Sequence, residues 1–306
     1  MKISDIIVFE NNFFYQNKFI NFSDYKIIIF NYGEDVEDVE VNYIYLAILI
    51  CKFITSNFPK IEIFNSPLNH ILICDTLVTY EKLKYCKYIN IPEFGNLEVN
   101  NFNSINVFPC IISLRHQTGG DGKYLIKNKN ELLNFDYKLL DIPALNVSIN
   151  ESNNSKCNKV FWAKFYNSTF KNTCYNISIR MYIFNNQLID FIARPSKDWN
   201  CHAKNSDWQN KDLIYEVDNY FSEYFNDNKI IIQNMLNELY EILGNGLYTH
   251  DFIFDNNKLI LCELGYKVLD PKHMYYHDKY KLNIDKICFD KFKIKEKYKN
   301  LLNSYN

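Results

Sequence analysis

Glycine is scarce in this chain, eight residues in 306, and proline is scarcer still at seven. So little of either excludes collagen-like and low-complexity architectures and leaves regular elements joined by ordinary loops. An excess of one charge is missing too: 34 Lys and Arg stand against 36 Asp and Glu, a net of −2. No basic surface therefore points to nucleic acid or another polyanion as partner. Nine cysteines are an odd number, with no CxxC pair and no Cys/His cluster at zinc spacing. That argues against a disulfide framework or zinc finger and predicts free thiols in a reducing cytoplasm. The longest apolar run, VNYIYLAILICKFIT (41–55), is broken by Lys52 and too short to span a bilayer, so it predicts a buried helix and no membrane partner. The opening MKISDIIVFE carries acids where a secretory leader has none, which again predicts a cytoplasmic location. No internal repeat is visible.

What is present is apolar. At 47% hydrophobic residues the chain can bury a large core, in roughly two or three subdomains. Residues 1–100 read as alternating strands and helices, with DIIVF, YKIIIFNYG and KIEIFN as strands, a helix from about Asn42 to Phe58, and a second helix in TLVTYEKLKYC. This predicts an open α/β domain with a parallel sheet. Residues 101–165 read as a small β-rich unit: SINVFPCIISLR, a glycine loop, KYLIK, and a polar-capped helix in NKNELLNF. Residues 166–306 read as a larger unit of antiparallel strands, with one long helix, DNKIIIQNMLNELYEILG, and a basic terminal helix. The long helix carries a stripe of Ile231, Met235, Leu239 and Ile242.

Three of the eight glycines fall within four positions of SLRHQTGGDGKYLI (113–126). Two downstream hairpins supply partners for that loop. In ISIRMYIFNNQLIDFIAR, a three-residue loop at 185–187 sets Ile179 against Ala193. Ile177, Ile179, Met181, Ile183, Ile189, Phe191 and Ala193 then share one face, and Ser178, Arg180, Tyr182, Asp190 and Arg194 the other. In HDFIFDNNKLILCE, a three-residue loop at 256–258 puts Asp251 opposite Glu263, with Phe252, Phe254, Ile260 and Cys262 on the apolar face. A two-residue turn would send the two acids to opposite faces. Like charges directly opposed in a sheet destabilise it unless a cation such as Mg²⁺ lies between them. Each element alone has a bland explanation, as a tight turn, a solvated strand face or surface acids. Together they are what a nucleoside triphosphate site needs: amides and cations for phosphates, carboxylates for the metal.

These parts, in this order, resemble the ATP-grasp superfamily, most closely its glutathione synthetase-like ligases, from about Asn65 to Gly265. The segment 63–94 is similar to the family's linker, with its Asn-x-Pro, a helix and an Ile-Pro. FPCIISLRHQTGGDGKYLI resembles the strand and mobile loop that close over the triphosphate, where Thr118, Gly119, Gly120 and Gly122 match. VFWAKFYN falls where the family's hinge binds adenine through its backbone, so the resemblance implies contacts at Lys164 and Phe165. It implies phosphoryl-stabilising roles for Arg180 and Arg194, fourteen residues apart, and Mg²⁺ ligation by Asp251 and Glu263, twelve apart. Trp199, Asn200, His202 and Lys204, on the loop after Arg194, fall where the family often faces the acceptor.

The chain departs from the family pattern at three places. Ser113 stands where the strand normally ends in a lysine for the ATP α-phosphate, and Arg115, two residues on, is the candidate stand-in. Gly265 stands where a third metal ligand, an Asn, is usual, which leaves Asp270 or water to complete the site. Lys164 replaces the hinge acid. The resemblance thus implies an N-terminal α/β domain (1–100), a lid subdomain (101–165) and a catalytic subdomain (166–306). The implied activity joins a small-molecule or peptide carboxylate to an amine acceptor, with ATP and one or two Mg²⁺, in an enzyme that can be a homodimer. A family kinase that stops at a phosphorylated product, or a non-catalytic nucleotide-binding member, stays open at this stage.

Overall fold

The structure, a computed structural model, describes residues 6–9, 12–16, 18–30, 41–97, 105–115, 122–136, 139, 160–202, 205–266, 300, 301, 303 and 304. The acidic loop at 34–40, residues 116–121 of the glycine loop, Lys204, Asp270 and most of the basic tail lie outside these. No helix among the described residues is long and apolar enough to cross a membrane. All six cysteines whose state is described are free thiols.

The first strands, β1 (Ile6–Phe9), β2 (Asn12–Tyr15) and β3 (Lys18–Phe19), form an antiparallel meander. The expected parallel pairing follows: β4 (Ile27–Ile29) and β5 (Glu62–Phe64) run side by side, with α1 (Val41–Asn57) between them in sequence. Ala47, Ile50, Cys51 and Ile54 of α1 pack into a cluster with Phe13, Phe22 and Phe30. Two short helices, α2 (His70–Cys74) and α3 (Thr76–Leu83), lead out of this region. Asp75 begins α3, its carboxylate accepting from the amides of Leu77 and Val78 at 3.0 and 3.2 Å.

A four-stranded sheet in the order β6-β9-β7-β8 comes next, from β6 (Phe94–Asn96), β7 (Cys110–Leu114), β8 (Lys123–Ile126) and β9 (Val160–Lys164). Its outer face packs as Cys110, Ile112, Leu114, Ile126 and Val160 with Leu132 of α4 (Lys129–Leu133). Asn128 caps α4 by accepting from the Glu131 amide, and the Glu131 carboxylate accepts from the Lys127 amide, a reciprocal cap.

The largest sheet has the order β11-β10-β12-β13, from β10 (Asn176–Phe184), β11 (Gln187–Ser196), β12 (Leu247–Asp255) and β13 (Lys258–Glu263). Two helices lie between its halves in sequence, α5 (Lys211–Asp227) and α6 (Lys229–Leu243). Only the second was expected. In α5, Leu213, Ile214, Val217, Phe221 and Phe225 are buried at helical spacing, behind a cap from Asn210 to the Leu213 amide. Its Tyr, Phe and Val content favours strand locally, and packing on the sheet overrides that propensity. In α6 the buried stripe is Ile232, Met235, Leu236, Leu239 and Leu243. Met235 and Leu239 lie where the periodicity put them, whereas Ile231 is 54% exposed. A run of three isoleucines at 230–232 hides the phase of the helix.

Both hairpins correct the expected turns and keep the expected register near their open ends. Each turn has two residues: Phe184 pairs with Gln187, and Asp255 with Lys258. Asn185, Asn256 and Asn257 take φ of 55°, 49° and 60°, the left-handed geometry that favours Asn in tight hairpin turns. Each hairpin then has one extra residue on its second strand, Ile189 or Cys262, at a register shift. That insertion restores the parity, so Ile179 faces Ala193 and Asp251 faces Glu263. On the turn side of the bulges the faces swap: Leu259 and Leu261, not Ile260 and Cys262, join Phe252 in the main core, and Ile189 packs in the second cluster.

Behind this sheet, Asp218 of α5 is 8% exposed. Burial, with the Asp190 carboxylate adding to it, pushes its acid up to about 6. The folded chain therefore binds this proton more tightly than the unfolded one between about pH 4 and 6, and stability falls as pH rises through that window. Asp218→Asn is expected to raise unfolding free energy by about 1–3 kcal/mol at pH 7 and to change little at pH 4, measured by urea denaturation at both pH values. An equal effect at both would show that the charge is not the cause.

Candidate active site

Alternation along β10, β11 and β12 sends Ile177, Ile179, Met181, Ala193 and Phe252 to the main core and leaves Ser178, Arg180, Arg194 and Asp251 on the other face. There Arg180 stands directly beside Asp251 in the β10–β12 ladder, and Glu263 stands beside Asp251 on the next strand. Arg180 donates from Nε to Oδ1 and from Nη2 to Oδ2 of Asp251, both at 2.8 Å, a bidentate fork. Arg194 Nη2 lies 3.2 Å from Asp251 Oδ1. The four residues expected to hold phosphates and metal therefore converge.

Arg194 is 2% exposed, and its Nε and Nη1 have no hydrogen-bond acceptor among the described residues. The Thr249 hydroxyl, two residues before Asp251, is buried in the same condition. Glu263 is half-buried, with no hydrogen bond or ion pair among the described residues. A buried donor left unmade costs about 1–3 kcal/mol, more on a charged group. Among the described residues this face therefore holds more buried donors than acceptors.

The loop after β11 folds over this row. Ser178 Oγ donates to the Cys201 carbonyl at 2.9 Å, Ser196 Oγ to the Asn205 carbonyl at 3.0 Å, and Tyr175 to Asp207 at 2.8 Å. The Trp199 ring meets Phe165 edge-on, 6.1 Å between centroids, so the loop reaches the hinge. Asn200 and His202 sit in the same stretch, the His202 amide donating to the Asn200 carbonyl. Burial pushes both Cys201 and Cys262 thiols up to about 12, which makes them inert packing groups rather than nucleophiles. His250 is fully buried on the core side, stacked on Tyr248, and burial lowers its imidazole to about 3; it is a neutral structural residue.

At the hinge, the Lys164 amide donates to the Glu93 carbonyl at 2.7 Å and the Phe165 amide to the Pro109 carbonyl at 3.0 Å. Both amides, expected to face a ligand, are instead engaged within the fold. Gly265, at the expected place of a third ligand, is sewn to β12: its amide lies 3.4 Å from His250 Nδ1, and its carbonyl accepts from the Thr249 amide at 2.8 Å.

The second sheet faces the site through a different side. Phe161 and Ala163 of β9 pack on Leu77 and Tyr80 of α3, and the Tyr80 hydroxyl donates to the Cys262 carbonyl at 3.1 Å. Ser113 is buried, its hydroxyl donating to the Leu114 carbonyl. Gly122 closes the glycine loop at φ 65°, where a side chain would be strained. Thr118, Gly119, Gly120 and Lys204 lie outside the described residues. Arg115 is held by Asp75, Nε to Oδ1 at 3.1 Å and Nη2 to Oδ2 at 2.5 Å, and so serves α3 in this structure rather than standing open for a phosphate. Sequence reasoning missed Asp75 as that partner, although its place before TLVTYEKL marks a cap.

No family model matches the chain, and no curated protein matches it. Solved structures similar to it include N5-carboxyaminoimidazole synthetase from Staphylococcus aureus complexed with ADP, at 15% identity and a TM-score of 0.48 over 85% of this chain. D-alanine–D-alanine ligase from Bacillus anthracis is 15% identical, with a TM-score of 0.47 over 88% of this chain and 80% of that one. A RimK domain protein ATP-grasp from Sphaerobacter thermophilus is 10% identical, with a TM-score of 0.43 over 86% of this chain and 81% of that one. The chain spans 60% of the length of the synthetase.

Asp75 is 2% exposed and carries two loads, the α3 cap and the Arg115 pair. Arg115→Met leaves that carboxylate buried without its cation and is expected to lower unfolding free energy by about 3 kcal/mol, measured by chemical denaturation. A loss under ~1 kcal/mol would place the pair among ordinary surface salt bridges.

Proposed function

We propose that the chain is an ATP-grasp ligase, which uses ATP to activate a small-molecule or peptide carboxylate as an acyl phosphate for attack by an amine. The observation that carries this reading is Arg194: a guanidinium 2% exposed, beside an Arg180–Asp251 pair, with two nitrogens lacking acceptors among the described residues. A transferring phosphoryl group and the acyl phosphate formed from it have the oxygens those donors need.

The acids fit a hard divalent cation. Asp251 and Glu263 are opposed across a ladder and offer only oxygen. These two residues would hold Mg²⁺, which when bound supplies charge neutralisation for the phosphates. Among the described residues no three His, Cys, Asp or Glu side chains cluster as a metal site, so such a cation would share its shell with phosphate oxygens and water. In the absence of nucleotide the two arginines balance Asp251 in the cation's stead.

The chain's own residues position and stabilise rather than react. The substrate carboxylate oxygen attacks the γ-phosphorus as the bond to ADP breaks; Arg180 and Arg194 hold the equatorial oxygens in that step. The amine nitrogen then attacks the acyl carbon, phosphate leaves, and the amine loses a proton. The loop at 197–207 is the candidate acceptor side. A second reading, nucleotide binding without ligation, is favoured by Ser113 and Gly265, neither of which offers the family's usual side chain.

Incubating the protein with Mg²⁺, ATP, hydroxylamine and a panel of carboxylates is expected to yield a hydroxamate and ADP for a subset of the panel. Arg194→Ala should cut that yield about 100-fold or more. An unchanged rate in Arg194→Ala removes the phosphoryl-holding role. Tight Mg²⁺–ATP binding with no hydroxamate from any carboxylate favours the binding-only reading.

A further inference from the structure

Ser113 is the penultimate residue of β7, the strand that enters the glycine loop, and its cross-strand neighbour is Lys123, the first residue of β8 after the loop. On the other side Ser113 pairs with Phe161 of β9, so Lys123, Ser113 and Phe161 form one row across the sheet and share a face. That face is not the outer core, which is made by Cys110, Ile112, Leu114, Ile126 and Val160. It is the face through which Phe161 packs on Tyr80, whose hydroxyl reaches the Cys262 carbonyl, one residue from Glu263. Lys123 is half-buried.

We propose that Lys123 supplies the cationic phosphate contact that position 113 lacks, the ammonium reaching the nucleotide from the neighbouring strand. The two positions are complementary. A serine at 113 leaves room for a long stem to cross the row, while lysines at both places would set like charges directly opposite each other. An ammonium on a flexible four-carbon stem can reach phosphate oxygens as a point charge without the fixed approach a guanidinium needs. Arg115, the other cation nearby, is engaged by Asp75.

This assignment rests on the nucleotide site proposed above, and calorimetric titration separates the two. With Mg²⁺ and the non-hydrolysable analogue AMPPNP, Lys123→Met is expected to weaken binding about 10- to 100-fold, while adenosine binding stays within about threefold of wild type. Lys123→Arg, which keeps the charge, should retain most of the affinity and shows that the stem position tolerates change. If wild type binds AMPPNP and Lys123→Met binds it equally well, the lysine assignment is overturned and the nucleotide site stands. If wild type binds no AMPPNP, the nucleotide site falls and Lys123 with it.

Discussion

Arg180 grips Asp251 with two donors at 2.8 Å, and Arg194 adds its own at 3.2 Å, on a sheet face from which water is nearly excluded. Two cations and one anion in that setting are poor stabilisers, because desolvating them costs several kcal/mol per ion and the attraction returns only part of it. What makes the arrangement tolerable is the opposite face. There Ile179, Met181, Ala193 and Phe252 pack against α5 and α6 in the largest apolar cluster of the chain. The sheet thus spends its hydrophobic face on stability and keeps the other for charge. The order β11-β10-β12-β13 follows from the same demand, since it puts both arginines within reach of one carboxylate and sets Glu263 beside it.

Register is what converts that order into a site. A tight Asn turn alone would have put Asp251 opposite Cys262, and Glu263 would have pointed into the core. The inserted Cys262 moves Glu263 into line, and Ile189 does the same for Arg194 against Ser178. This explains what the sequence disclosed and what it hid. The strand faces near the arginines and acids were legible, because apolar alternation on β10 and β12 leaves little choice there. The turns were not, since two-residue turns with a bulge and three-residue turns without one give the same pairing at the open end. The difference showed only beyond the bulge, where Leu259 and Leu261 took the places assigned to Ile260 and Cys262.

Long-range pairing set the other limit. Arg115 looked open because its partner lies 40 residues earlier, at the start of α3. Lys123 looked like any lysine after a loop, because its position acquires meaning only from Ser113 across the ladder and from the face they share. Helix α5 hid behind a strand-like composition, although Leu213, Val217 and Phe221 kept the helical interval. Local propensity misleads when burial against a sheet supplies most of the stability.

The short helix α3 joins these features into one device. Its N-cap, Asp75, binds Arg115 at the end of β7, and Tyr80, further along, binds the strand that carries Glu263. One short element therefore links the β6-β9-β7-β8 sheet to the sheet that holds Asp251 and Glu263. Two-point attachment of this kind ties the end of β7 and the end of β13 to one short helix. Arg115 then has a reason to be an arginine: its planar fork matches the Asp75 carboxylate bidentately, and a lysine there would hold the strand by a single movable point. In the nucleotide reading proposed above, with Arg115 so engaged, the cation for phosphate would come from Lys123 on the same face.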